Sequence, residues 1–261
     1  MPLPLNTWAG FFHDALAFLT RLVPPRSGQT AYDPNISLFF APVGFCLGAL
    51  LALTAWGAQN LAMLVTNTSW LSAMLAAWLW LSLDAWITRG LHWDGLADLA
   101  DATGSLAHGD RFRQILKDSR LGAFGAIQLL LVFCGHWLGV AGHLVQGHIL
   151  LLLLASTWAR TSALWLAGCT PMHTTADLGN IMSLAARPYV RGAHILLGAL
   201  LLFLPVLAES CSMPQMLFTG LVQCALLLRL SYLARREGGL SGDFFGACIQ
   251  WSQLCFLLCT L

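Results

Sequence analysis

Three aspartates, Asp94, Asp98 and Asp101, recur at spacings of four and three within Leu91-His92-Trp93-Asp94-Gly95-Leu96-Ala97-Asp98-Leu99-Ala100-Asp101. A helix advancing about 100° per residue puts all three on one face, within an arc of about 60°. Like charges that close repel one another and weaken the helix that carries them. A divalent cation offsets such repulsion, and a carboxylate-bound Mg²⁺ commonly shares its shell with phosphate oxygens. The segment 91–101 has no Lys or Arg, whereas 111–120 has Arg111, Arg113, Lys117 and Arg120. Acids segregated beside bases are what a metal–diphosphate site requires, carboxylates for the cation and bases for the non-bridging oxygens. The plainer reading, a solvated loop of mixed charge, is weakened by that segregation of sign.

Two glycine-rich turns and a buried pair add candidates. Asp118-Ser119-Arg120-Leu121-Gly122-Ala123-Phe124-Gly125 leads straight into an apolar run. Its glycines admit close backbone approach, and the helix that follows offers its N-terminus to anions. Taken alone, the same turn serves equally as a re-entry into the membrane. Gly238-Gly239-Leu240-Ser241-Gly242-Asp243 precedes the last apolar run, where Asp243 is either an N-cap or a further acid at the site. Asp84 and Arg160 fall inside apolar runs, so they face the bundle interior, either with a role in function or paired with each other.

The elements that must position these groups are membrane helices. The chain of 261 residues is 57% hydrophobic and only 10% charged, with a mean hydropathy of +0.70. Soluble domains carry about 25% charged residues. Runs long enough to cross a bilayer lie at 37–58, 70–89, 124–144, 148–168, 193–208, 214–233 and 244–261. Because the fifth is short, about seven spans are expected, with six to eight as the range. The fold class is therefore an all-α polytopic transmembrane bundle forming a single domain over 1–261.

Arg21 and Arg26, Arg89 through Arg120, Arg187 and Arg191, and Arg235 and Arg236 fall in alternate connections, while 59–69, 145–147 and 209–213 hold no base. The positive-inside rule then places the N-terminus and the charged loops in the cytoplasm. The opening Met1-Pro2-Leu3-Pro4 lacks a basic n-region, and the segment after it reads as amphipathic or partly embedded, not as a cleaved signal. A net charge of +1 and no basic run argue against a nucleic-acid partner. The eight cysteines form no CxxC pair and mostly lie in apolar runs, so no disulfide framework is expected.

Along nearly its whole length the chain resembles the cobalamin synthase family, the adenosylcobinamide-GDP ribazoletransferases. The likeness is carried by Phe18-Leu19-Thr20-Arg21-Leu22 with Pro24-Pro25, and by Phe40-Ala41-Pro42-Val43-Gly44 with Gly48. Further matches are His92-Trp93-Asp94-Gly95-Leu96-Ala97-Asp98 with Asp101, Lys117-Asp118-Ser119-Arg120-Leu121-Gly122 with Gly125, and Gly238-Gly239-Leu240-Ser241-Gly242-Asp243 with Gly246-Ala247. Trp93, Ala102, Phe124 and Ser241 depart from the family pattern, and none of them removes an acid or a base.

The resemblance implies transfer of the adenosylcobinamide phosphate group from adenosylcobinamide-GDP to a ribose hydroxyl of α-ribazole, or of its 5′-phosphate, with GMP leaving. It implies Mg²⁺ as cofactor on Asp94, Asp98 and Asp101, one of which doubles as base. It implies the diphosphate on Arg111, Arg113, Lys117 and Arg120, with Arg120 catalytic, Asp118 orienting Arg120 or taking a second cation, and Asp243 as a fourth acid. It also implies a bacterial inner-membrane location with a cytoplasmic-facing site. The partners implied are the lipid bilayer and either other late corrinoid-pathway enzymes or a second copy of the chain. Two other readings stand beside it. CDP-alcohol phosphotransferases also hold Mg²⁺ on membrane aspartates, but Asp94-Gly95 here is followed by Leu96-Ala97-Asp98 without the Ala-Arg they carry. An ion-coupled transporter built on Asp84 and Arg160 would carry its acids deep in the bundle, whereas these crowd toward one face.

Overall fold

A computed structural model describes residues 5–27, 31–173 and 181–261; the opening Met1-Pro2-Leu3-Pro4 lies outside them. The described residues form α1 (Leu5–Leu19), a 3₁₀ turn (Pro34–Phe39), α2 (Phe40–Thr66), α3 (Ser69–Ile87), α4 (Leu91–Gly104), α5 (Asp110–Leu116), α6 (Ala123–Gln146), α7 (Ile149–Cys169), a second 3₁₀ turn (Ser183–Ala186), α8 (Pro188–Leu207), α9 (Met213–Arg236) and α10 (Gly242–Cys259). Six of these stretches are long and apolar enough to cross a membrane: Pro34–Thr66, Ser69–Ile87, Ala123–Gln146, Ile149–Cys169, Pro188–Leu207 and Met213–Arg236. The fold is a polytopic helical bundle.

Two expectations are refined. The short fifth span is a full helix of 20 residues, because Pro188 occupies its first turn, where a missing N–H costs nothing. The run at 244–261 is α10, which falls outside the six apolar crossings. It carries Gln250, Ser252 and Gln253, all buried, and so needs no lipid-facing surface. It nevertheless travels the depth of the bundle alongside α6. A Cβ on Gly135 would stand 2.6 Å from Leu254, one on Gly139 would stand 2.9 Å from Leu257, and Gly142 faces Leu261.

α7 is the central post, with nearly every residue from Leu151 to Ala167 buried among α2, α10 and α8. Helices in lipid gain little from hiding apolar surface from one another, so close van der Waals approach carries the packing. Gly44 and Gly48, one turn apart on α2, supply it. A Cβ on Gly44 would come within 2.7 Å of the Ser156 carbonyl oxygen, and one on Gly48 would overlap the Leu153 carbonyl. Asp84 and Arg160 are 2% and 1% exposed, as an interior position demands, yet no ion-pair contact joins them.

Gly48→Leu is expected to destabilise the detergent-solubilised protein by about 1–3 kcal/mol or more, since the α7 backbone cannot yield locally. Gly57→Leu, on the same helix but with nothing within 4 Å of its Cβ position, should leave the thermal midpoint unchanged.

Candidate active site

The three-aspartate helix exists as the spacing requires. α4 is set off from α3 by a sharp reversal in which Arg89 and Gly90 both take positive φ, 58° and 67°. Its buried face, with Leu96, Leu99 and Ala102, packs on α10 and α6, and this turns Asp94 and Asp98 toward solvent.

The decisive contact is with α10. A Cβ on Gly95 would lie 2.9 Å from Asp243 Cα, and one on Gly246 would lie 3.2 Å from Gly95 Cα. Two backbones without side chains between them bring the first turn of α10 against the first turn of α4. Asp243 sits inside that turn, with Ser241 as the N-cap residue, so it is not the cap. It accepts a hydrogen bond from Ser241 Oγ at 2.9 Å.

Four carboxylates thereby share one neighbourhood. Partial burial and the charges of Asp94, Asp243 and Asp101 push Asp98 up to about 7. Burial, with Asp94 nearby, likewise raises Asp243 despite the Ser241 hydrogen bond. Among the described residues no cation stands within ion-pair distance of Asp94, Asp98 or Asp243. The donor set is all oxygen and strongly negative, which fits a hard cation such as Mg²⁺. No three Asp, Glu, His or Cys side chains among the described residues are already gathered as a ligand cage.

Asp101 is engaged elsewhere. Its two oxygens accept the backbone N–H groups of Gly122, at 2.7 Å, and Gly125, at 2.8 Å. It therefore caps the start of α6 and fastens the Lys117–Gly125 motif to α4. An acid at a helix N-terminus is favoured by the helix dipole as well as by these bonds.

The bases divide. Arg113 and Lys117 line a cavity of about 250 Å³ together with Phe112, His173 and Asp243. Arg113 is held there by Asp110 at 2.7 Å and by the Glu237 carbonyl at 2.9 Å. Arg111 is exposed and donates to Gln114. Arg120 is also exposed and pairs with Asp118 at 2.6 Å. That hydrogen-bonded partner drives Asp118 down to about 2. The neighbours of Arg120, Ser119 and Leu121, line an open groove with Asp94, Asp98 and Arg89.

Two groups at this end, Glu237 and Arg89, escape the sequence reading, and His92 of the matched motif lies with them. Glu237 is buried, and it accepts hydrogen bonds from the His108 ring at 3.0 Å, Gly109 N at 2.8 Å and Arg236 Nε at 2.8 Å. Burial alone would raise its pKa, but those donors outweigh burial and hold it low. Its position just before Gly238-Gly239 is the signal that could have drawn notice. Arg89 donates from Nη2 to the Phe18 carbonyl at 2.9 Å, tying α1 to the site. His92 is 4% exposed, with burial and Arg160 lowering its ring to about 3, so the imidazole is neutral.

A second cavity, of about 300 Å³, lies on the other side of Asp243. It is lined by Phe18, Tyr32, Phe40, His92 and Asp94, among others.

A carboxyl raised above its unfolded value costs the cation-free protein stability as pH climbs from about 4 through 7. Asp98→Asn should therefore raise the thermal midpoint of EDTA-treated protein at pH 8, with the gain vanishing toward pH 4. An equal gain at both pH values would contradict the four-carboxylate cluster.

Residues 11–261 match the family model for cobalamin-5-phosphate synthase. The adenosylcobinamide-GDP ribazoletransferase of Nitratidesulfovibrio vulgaris is 38% identical over 254 residues, which covers 95% of this chain and 97% of that protein. Proteins of the same name from Thiobacillus denitrificans, 35% identical over 94% of this chain and 92% of theirs, and from Escherichia coli, 30% identical over 96% and 98%, extend the likeness. No solved structure matches. The chain belongs to the cobalamin-5-phosphate synthase family.

Proposed function

We propose that this protein transfers the adenosylcobinamide phosphate group of adenosylcobinamide-GDP to a ribose hydroxyl of α-ribazole or its 5′-phosphate. The observation that carries the reading is the acidic cluster of Asp94, Asp98 and Asp243 set directly beside the Arg113–Lys117 cavity, in a chain of this family. The ribose oxygen forms a bond to the cobinamide-linked phosphorus as the bond to the bridging oxygen breaks. GMP leaves with that electron pair, and a carboxylate of the cluster takes the hydroxyl proton. Such a transfer asks the protein for position and charge neutralisation more than for covalent chemistry.

Mg²⁺ is the cofactor this reading requires. Asp94 and Asp98 would hold it with Asp243, or with Asp101 once the latter gives up part of its hold on Gly122 and Gly125; when bound, it neutralises the diphosphate. Arg113 and Lys117 take the non-bridging oxygens facing their cavity, while Arg120 and Arg111 stand at the surface to meet the incoming nucleotide. Asp118 keeps Arg120 charged and oriented. The bases gathered at this end support its placement on the cytoplasmic face of a bacterial inner membrane.

Membranes carrying the protein, given adenosylcobinamide-GDP, α-ribazole and Mg²⁺, should release GMP and form cobalamin in equal amounts by mass spectrometry. Asp94→Ala should lower the rate at least about a hundredfold while the protein stays membrane-inserted. Near-normal turnover by that variant would refute the site assignment.

A further inference from the structure

The proposed transfer needs two substrates on opposite sides of one phosphorus, and Asp243 is a wall common to two cavities of different character. On one side stand Arg113 and Lys117, suited to phosphate. On the other, the space of about 300 Å³ between α1, α2, α4, α7 and α10 is mainly aromatic and aliphatic. Phe18 meets Tyr32 edge-on with ring centroids 5.3 Å apart, and stacks on Phe40 at 5.8 Å with 15° between planes. Among the described residues one basic side chain, Arg89, lines this cavity, and it already donates to the Phe18 and Ala17 carbonyls. A phosphate would find little there.

Polar groups stand at one end. Asp94 and Asp243 line the cavity, as does the His92 ring. Pockets for small molecules run from about 300 to 1,000 Å³, apolar with a few convergent polar groups. This one is at the small end: it admits a bicyclic base with part of its ribose, and it excludes a corrin macrocycle.

Resting on the transferase reading above, we propose that this cavity holds the acceptor. The planar, uncharged aromatic base of the nucleoside lies among Phe18, Tyr32 and Phe40. Its ribose hydroxyl then emerges between Asp94 and Asp243, facing the diphosphate donor that approaches from the Arg113 side.

Ala163, buried on α7, lines the same cavity and carries no group proposed for chemistry. Ala163→Leu intrudes three carbons into the space. It should raise KM for α-ribazole at least tenfold, leaving KM for adenosylcobinamide-GDP within twofold, since hydrophobic pockets resolve single methylenes by about ten- to two-hundredfold. A companion measurement needs no variant: α-ribazole binding to unaltered protein in nanodiscs, by calorimetry, should keep its Kd when GDP is saturating. A rise in the donor's KM instead, or competition between GDP and α-ribazole, overturns the assignment. If wild-type membranes show no turnover, the transferase reading itself falls. Binding then decides the cavity: α-ribazole affinity lost in Ala163→Leu supports it, and no α-ribazole binding to the unaltered protein overturns it.

Discussion

The close crossing of α4 and α10 is the constraint from which the rest of the site follows. With Gly95 facing Gly246 and Asp243, the two helices meet backbone to backbone at their first turns. Any side chain at Gly95 would push Asp243 away from Asp94 and Asp98. It would also pull apart the wall that separates the basic cavity from the aromatic one. The crossing costs electrostatic energy, visible as the climb of Asp98 to about 7 and the rise of Asp243. The surrounding hydrophobic packing must absorb that cost. Leu96, Leu99, Phe244, Phe245 and Ile249, all buried around the contact, are where it is absorbed.

What the sequence discloses follows from the range of each signal. The three-aspartate face depends on the periodicity of one helix, and it appears in α4 as the spacing requires. The apolar runs depend on local composition, and the helices follow them to within about five residues, except that α2 continues to Thr66, eight residues past the expected end at 58. The fifth reads short because Arg191 interrupts the apolar pattern; yet Arg191 donates to the Gly168 carbonyl, and His194, inside the run, is buried. Both are accommodated by neighbouring helices, which composition does not register. In the sequence Asp243 stands open between cap and site for a similar reason. Its proximity to Asp94 depends on a glycine contact between segments far apart in the chain. Nor does spacing separate Arg113 and Lys117, which line a cavity, from Arg111 and Arg120, which face outward. Those four residues occupy one short stretch, and Arg113 is held at the cavity by the Glu237 carbonyl and the Asp110 carboxylate.

The other acids at this end of the molecule clarify what the central ones are for. Glu237 spends its charge on His108, Gly109 and Arg236, fixing the turn that launches α5. Asp110 anchors Arg113, Asp118 anchors Arg120, and Asp14 pairs with Arg26 at 3.0 Å. Asp101 gives both oxygens to the start of α6, and the two glycines there are required by it. A Cβ on Gly125 would stand 2.5 Å from an Asp101 oxygen. Each of these carboxylates positions a loop or a base. Asp94, Asp98 and Asp243 position nothing comparable and, among the described residues, have no cationic partner. Among these acids, uncompensated negative charge is therefore concentrated at the α4–α10 crossing, with bases held on one side and a mainly aromatic and aliphatic cavity on the other. A phosphoryl transfer between a diphosphate and a neutral nucleoside has the same asymmetry: charge to be neutralised on one flank, a hydroxyl to be deprotonated at the centre, and a flat apolar body to be held on the other.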